Sequence, residues 1–147
     1  MNKIELQSLT KAEHGRVDVF WHEDKAAGMA RTLYHRITIP LSQFKLDIEG
    51  ETKAIDTELV FDWYDLDLGE RYALNGLNLT HEAYPEAEGS LMINDIDNWC
   101  DVKRLAIEET APDEFKLTGE LIIEFEEGGL AENTSFSFET TMSAERG

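Results

Sequence analysis

The chain has 147 residues, 41% of them apolar, and one cysteine. That length suits a single domain with a single core, and one thiol excludes an intrachain disulfide. Thirty-one Asp and Glu against 13 Lys and Arg give a formal charge of -18, a field that repels phosphate backbones and anionic membranes, so neither nucleic acid nor membrane is an expected partner.

No run nears the roughly 20 apolar residues of a bilayer span. Met1-Asn2-Lys3-Ile4-Glu5-Leu6 also lacks the basic-then-apolar order of a secretion signal, so the expected location is cytoplasmic. The charge is unevenly placed: residues 1–50 hold seven acidic and seven basic side chains, and residues 51–147 hold 24 and six.

Period-two alternation dominates the chain, the signature of strands with one buried and one wet face. Val17, Val19 and Trp21 share one side of a first strand, with Arg16, Asp18 and His22 on the other. Residues 29–39 return antiparallel, with Met29, Leu33, His35, Ile37 and Ile39 on one face and Tyr34 on the opposite one. Ala26, Met29, Ala30 and Leu33 also fall at helical spacing, but Gly28 favours a hairpin loop at 23–28. Pro40 ends the return strand or places it at an edge.

Phe44, Leu46 and Ile48 form the buried face of another strand closed by Gly50. Residues 54–64 come next, with Ile55, Thr57, Leu59, Phe61 and Trp63 on one side and Asp56, Glu58, Val60, Asp62 and Tyr64 on the other. The pattern weakens over residues 65–89, where short strands and turns are expected, including a hairpin turn at Asn75-Gly76 and a surface loop over 81–89. Leu91 and Ile93 open a further strand, the polar stretch Asp95-Ile96-Asp97-Asn98 makes a bend, and Leu105 with Ile107 mark the next strand. Ala111-Pro112-Asp113 is a turn. Residues 115–126 place Phe115, Leu117, Leu121, Ile123 and Phe125 inward, and Phe136, Phe138, Thr140 and Met142 form the buried side of the last strand.

These elements predict an all-β, mainly antiparallel single domain spanning 1–147. About eight to ten short strands with little helix would make a β-sandwich or a partly closed barrel.

No complete catalytic motif is present, and the reading leans against an enzyme. Glu127-Gly128-Gly129-Leu130 lacks the phosphate-loop pattern. His14, His22, His35 and His81 are scattered, which argues against zinc. Cys100 beside Trp99 reads as a small buried thiol. Two acidic stretches are weak candidates for a hard cation: Asp62, Asp65, Asp67 and Glu70, and Asp95, Asp97 and Asp101. Neither has EF-hand spacing, turn capping explains both, and no cofactor is expected. Trp21 and Trp63 alternate with apolar neighbours and read as core, whereas Tyr34 and Tyr64 read as surface aromatics.

The densest feature is the outward face of the C-terminal hairpin. It would carry Glu120, Glu124 and Glu126 on one strand and Ser135, Ser137 and Glu139 on the other. Carboxylates in rows on a rigid sheet accept bidentate arginine bonds and steer association. The leading expectation is therefore a small binding protein for a basic partner, as an inhibitor, antitoxin, immunity protein or nucleic-acid mimic would be. The alternative is a ligand-binding or enzymatic β-domain holding a metal ion or carbohydrate at one of the acidic stretches.

Overall fold

The computed structural model describes residues 2–146. The alternating segments form β1 (Gly15–Asp24), β2 (Met29–Pro40), β3 (Phe44–Ile48), β4 (Glu51–Ile55), β5 (Glu58–Tyr64), β6 (Glu88–Ile93), β7 (Ile96–Ala111), β8 (Glu114–Ile123) and β9 (Thr134–Ala144), with one short helix, α1 (Leu6–Leu9). Seven strands close into a barrel in the order β1-β2-β5-β6-β7-β8-β9, and β3-β4 stands apart as a two-stranded hairpin between β2 and β5. Neighbours pair antiparallel except at the seam, where Gly15–Val17 of β1 lie parallel to Met142–Ala144 of β9. The sheet is thus a closed barrel, not a sandwich. No helix among the described residues is long and apolar enough to cross a membrane.

Two tight turns set the register of the hairpins they join. Glu49 and Gly50 have φ of 52° and 81°, and Asn94 and Asp95 have 52° and 64°. Paired positive φ values match the right-handed twist of flanking strands, which is why two residues suffice. The polar bend expected over 95–98 is therefore shorter and earlier: Ile93 pairs with Ile96, and Asn98 is already inside β7. Its buried amide donates to the Leu91 and Ile96 carbonyls.

Residues 65–87 form no named strand, against the expectation of short ones. Their backbone instead covers an edge. β6 pairs with β7 only over Ile96–Trp99, which would leave the rest of that side of β7 open. The N–H groups of Gly76, Leu79 and His81 donate to the carbonyls of Ile107, Leu105 and Val102, and Ile107 N–H donates to Leu77. The Asn75 and Asn78 side chains accept from the Glu109 and Leu105 amides. Asn75-Gly76 does make a two-residue turn, closed by the Leu77 N–H to the Leu74 carbonyl, but it joins no strand pair, because the backbone groups around it find partners on the open side of β7. Tyr72, Leu74 and Leu79 of this segment are buried.

The amino-terminal segment seals the other incomplete edge. β9 meets β1 only near its end, and Gln7 fills the gap: its side-chain amide donates to the Ser137 carbonyl and accepts the Ser137 N–H. Ile4 and Leu6 beside it are buried.

The alternation of the C-terminal hairpin matches its sequence pattern. Phe115, Leu117, Leu121, Ile123, Phe125, Phe136, Phe138 and Met142 are all buried, although β8 itself ends at Ile123. Gly119 faces Phe138 directly across the ladder, and a Cβ there would clash with the nearest Phe138 ring carbon. Gly119→Ala is expected to overpack the barrel and cost about 1–3 kcal/mol, read as a lower midpoint in chemical denaturation; Phe138→Leu in the same chain should restore part of it.

Candidate functional site

A single bulge rearranges the aromatic residues relative to their sequence alternation. In the β2–β5 ladder His35 pairs with Tyr64 and Ile37 with Phe61, so Arg36 stands opposite both Asp62 and Trp63. Trp63 takes φ of 60°, and its N–H donates to Asp62 Oδ1 at 2.8 Å. The extra residue reverses the facing of the residues after it. Tyr64, expected outside, is fully buried with its hydroxyl donating to the Leu79 carbonyl. Trp63, expected in the core, sits outside among Phe20, His22 and Tyr34, with ring centroids 5.3, 5.0 and 5.2 Å away.

Trp21 also departs from expectation. It is 50% exposed, and the Arg31 guanidinium lies 4.4 Å over its ring. Trp99 is half-buried and stacks on His81 at 5.1 Å. Beside the outer cluster lies a cavity of about 490 Å³ whose walls include Met29, Tyr34, Trp63, Tyr84 and Asp65.

The acidic candidates are dispersed over different jobs. Asp62 supports the bulge. Asp67 takes a positive φ of 48°. Glu70 accepts the Tyr72 N–H and pairs with Arg146, which also pairs with Asp113 at 2.6 Å. Asp95 is the second residue of the β6–β7 turn, Asp97 lies on the exposed outer side of β7, and Asp101 pairs with Lys103 at 2.8 Å. Among the described residues no three His, Cys, Asp or Glu side chains converge in a way that could hold a metal ion.

On the C-terminal hairpin the register brings cations among the carboxylates. Glu120 stands between Arg104 and Ser137, 3.8 Å from the Arg104 guanidinium, and Glu139 lies 3.2 Å from Lys116. Glu126 is occupied locally, exchanging hydrogen bonds with Asn133. Glu124 carries no ion pair among the described residues; partial burial, with the nearby Glu127 and Asp101 charges, raises its pKa above the ordinary glutamate value.

A second group of carboxylates lies on the outer side of β5, β6 and the start of β7. Asp62 stands directly opposite Glu88 across the β5–β6 ladder. Together with Asp97 and Glu127 they border a small cavity of about 210 Å³ at Trp99. A larger groove of about 750 Å³ adjoins it, bordered by Asp56, Glu58, Asp95 and Asp97. None of these seven carboxylates forms an ion pair among the described residues. The sequence placed Asp56, Glu58 and Asp62 on a wet face, but the pairing of β5 with β6 is what sets Glu88 beside them.

Comparison with family models, with curated proteins and with solved structures found no match to this chain.

Burial perturbs Cys100, His35 and His81. Burial pushes the Cys100 thiol well above its ordinary value, which leaves it a protonated core group. His35 is 3% exposed, as its place on the apolar face implied, and Nε2 donates to the Arg71 carbonyl. Its Nδ1 has no partner. Desolvation lowers its pKa, and the bond to Arg71 only partly opposes this.

His81 Nδ1 meets the Val102 N–H at 3.1 Å and Asp101 Oδ1 at 3.4 Å, while its Nε2 is buried without a partner. Burial lowers this pKa too, against the pull of Asp101. Both histidines have folded pKa values below their ordinary 6.5. The unfolded chain then binds protons first on acidification, and the stability these rings contribute is full above about 6.5 and falls as pH drops through the lowered values. Between pH 7 and 5 the melting temperature should fall less in a His35→Gln/His81→Gln variant than in the parent; parallel profiles would mean that neither ring is held neutral.

Proposed function

We propose that the chain is a non-catalytic binding protein that takes a basic protein partner on the outer side of β5, β6 and the start of β7. The observation that carries this reading is the Asp62–Glu88 pair, two carboxylates set opposite each other and neither in an ion pair among the described residues, since Arg36, across the β2–β5 ladder from Asp62, is bonded to Asp18. Like charges directly across a ladder destabilise a sheet. Asp62 also accepts the Trp63 N–H, but Glu88 makes no ion pair among the described residues, and a cation from outside would offset the repulsion between the two. Arginine and lysine side chains of a partner would supply it, through charge-assisted hydrogen bonds and electrostatic steering.

The same reading moves the emphasis away from the C-terminal hairpin. Glu120 and Glu139 already have cations on their own sheet, so they offer a partner less. Glu124, which has none, adjoins the proposed surface through Glu127. A cytoplasmic setting fits a chain whose one cysteine is a buried free thiol.

A second reading, carbohydrate binding, is favoured by one observation: the cavity beside Tyr34, Trp63 and Tyr84 presents flat aromatic rings next to the Asp65 carboxylate. Titration with neutral oligosaccharides should change tryptophan fluorescence in the parent and not in Trp63→Phe if that cavity is the site.

The basic-partner reading separates from a general charge effect by comparing two charge reversals of similar size. Glu88→Lys/Asp97→Lys should abolish salt-sensitive retention of basic proteins from a native extract. Glu120→Lys/Glu139→Lys should leave most of it. Equal losses in the two variants would assign retention to net charge alone.

A further inference from the structure

We propose that the free edge of β4 receives an extended, basic segment of the partner as an added strand. This inference rests on the basic-partner reading and gives it a binding mode.

β3 and β4 form a hairpin outside the barrel, so each has one ladder edge and one edge without a strand neighbour. The register pairs Ile48 with Glu51, Asp47 with Thr52, Leu46 with Lys53, Lys45 with Ala54 and Phe44 with Ile55. In a two-residue hairpin the pair flanking the turn exchanges both backbone hydrogen bonds, and bonded pairs then alternate along the ladder. Glu51, Lys53 and Ile55 are thus bonded to β3, whereas the N–H and C=O of Thr52 and Ala54 point away from it. Among the described residues nothing takes those two N–H groups.

That open edge faces the largest groove on the charged side. The groove, about 750 Å³, is bordered by consecutive residues from Lys53 to Glu58. The share of β4 in that run is Lys53, Ala54 and Ile55; side chains of a strand alternate between faces, so three successive residues on one cavity mean that this end of β4 meets it edge-on. The opposite wall belongs to the β6–β7 hairpin, with Met92 54% exposed and Asp95 and Asp97 at its tip. Lys53 and Thr57 hold the two walls at a fixed spacing through bonds to the Asn94 side chain and the Met92 carbonyl.

An unpaired edge is a template for another strand, and natural sheets protect such edges with charge. Here the charge is of one sign. Asp56, Glu58, Asp95 and Asp97 surround the edge with a single cation, Lys53, among them. A second copy of this chain would bring the same carboxylates to the contact, and its charge of -18 opposes pairing. A strand with alternating lysine or arginine satisfies both demands. Its backbone completes the ladder on Thr52 and Ala54, its cations meet the four carboxylates, and an apolar residue covers Met92, as in strand addition to an exposed sheet edge.

The test uses the full chain and a ten-residue peptide alternating lysine with valine, followed by titration calorimetry and amide hydrogen exchange. The expected result is binding that weakens with salt, with new exchange protection at Thr52 and Ala54. Ala54→Pro removes one free edge donor and none of the β3–β4 bonds, and it should weaken binding tenfold or more at an unchanged melting temperature. Methylating alternate peptide amides should do the same with the parent protein, so the result stands even if the proline variant is unstable. Asp56→Asn/Asp97→Asn should also weaken binding and flatten its salt dependence. Binding that responds to the asparagine variant but ignores proline and peptide methylation would overturn strand addition while leaving the acidic surface as a docking site. Concentration-dependent dimerisation of the chain through β4 would overturn the choice of occupant. Absence of any peptide binding would overturn the inference; the charge-reversal comparison tests the underlying reading separately.

Discussion

Barrel closure depends on satisfying the backbone of strands whose lengths do not match. β7 is 16 residues long, and β6 reaches only its first four residues, Ile96–Trp99. The open side of β7 would leave amides and carbonyls without partners next to the core, a cost that a domain of this size carries poorly. Residues 76–81 meet it with backbone bonds to Val102, Leu105 and Ile107, and Gln7 does the same for β9 at Ser137. The irregular segments are structural parts of the barrel wall. Among the described strands β3-β4 is the pair left outside it, and its edge remains available.

The same backbone logic governs the outer surface. The bulge at Asp62 and Trp63 turns Tyr64 into the core, where it holds Leu79 of the sealing segment, and turns Trp63 outward. Asp62 supports the bulge and simultaneously stands opposite Glu88. The bulge that aims the aromatic cluster therefore adjoins the charged surface on β5, so the two surface features share one irregularity in one strand.

Much of the fold was legible because period-two alternation survives wherever one face is buried. The run from Phe115 to Phe125 and the part of β2 from His35 to Ile39 read correctly for that reason, whereas Met29 on the same expected face is exposed; the turn at Gly50 was marked by its glycine. What could not be read depended on partners distant in sequence. A bulge shifts alternation by one residue without altering local composition, so Trp63 and Tyr64 exchanged places. Asn75-Gly76 turns the chain as its residues imply, but the backbone groups nearby bond to β7, far along the chain, instead of to each other as a hairpin. Charge behaved alike: Glu120, Glu124, Glu126 and Glu139 stood out as a row along the chain, while Arg104 entered that face from the next strand. Asp62 and Glu88 are 26 positions apart, and only the β5–β6 register makes them neighbours.

The central claim is that the outer side of β5 and β6 sets like charges opposite each other without an ion pair among the described residues, at a cost to the fold. The most direct measurement is the thermal stability of Glu88→Gln against Glu139→Gln at low and high salt. Glu88→Gln should melt above the parent at low salt, by no more than about 0.5 kcal/mol in stability, with the gain fading as salt screens the repulsion. Glu139→Gln, which removes the partner of Lys116, should show no gain. A Glu88→Gln protein that melts at or below the parent at low salt would contradict the account.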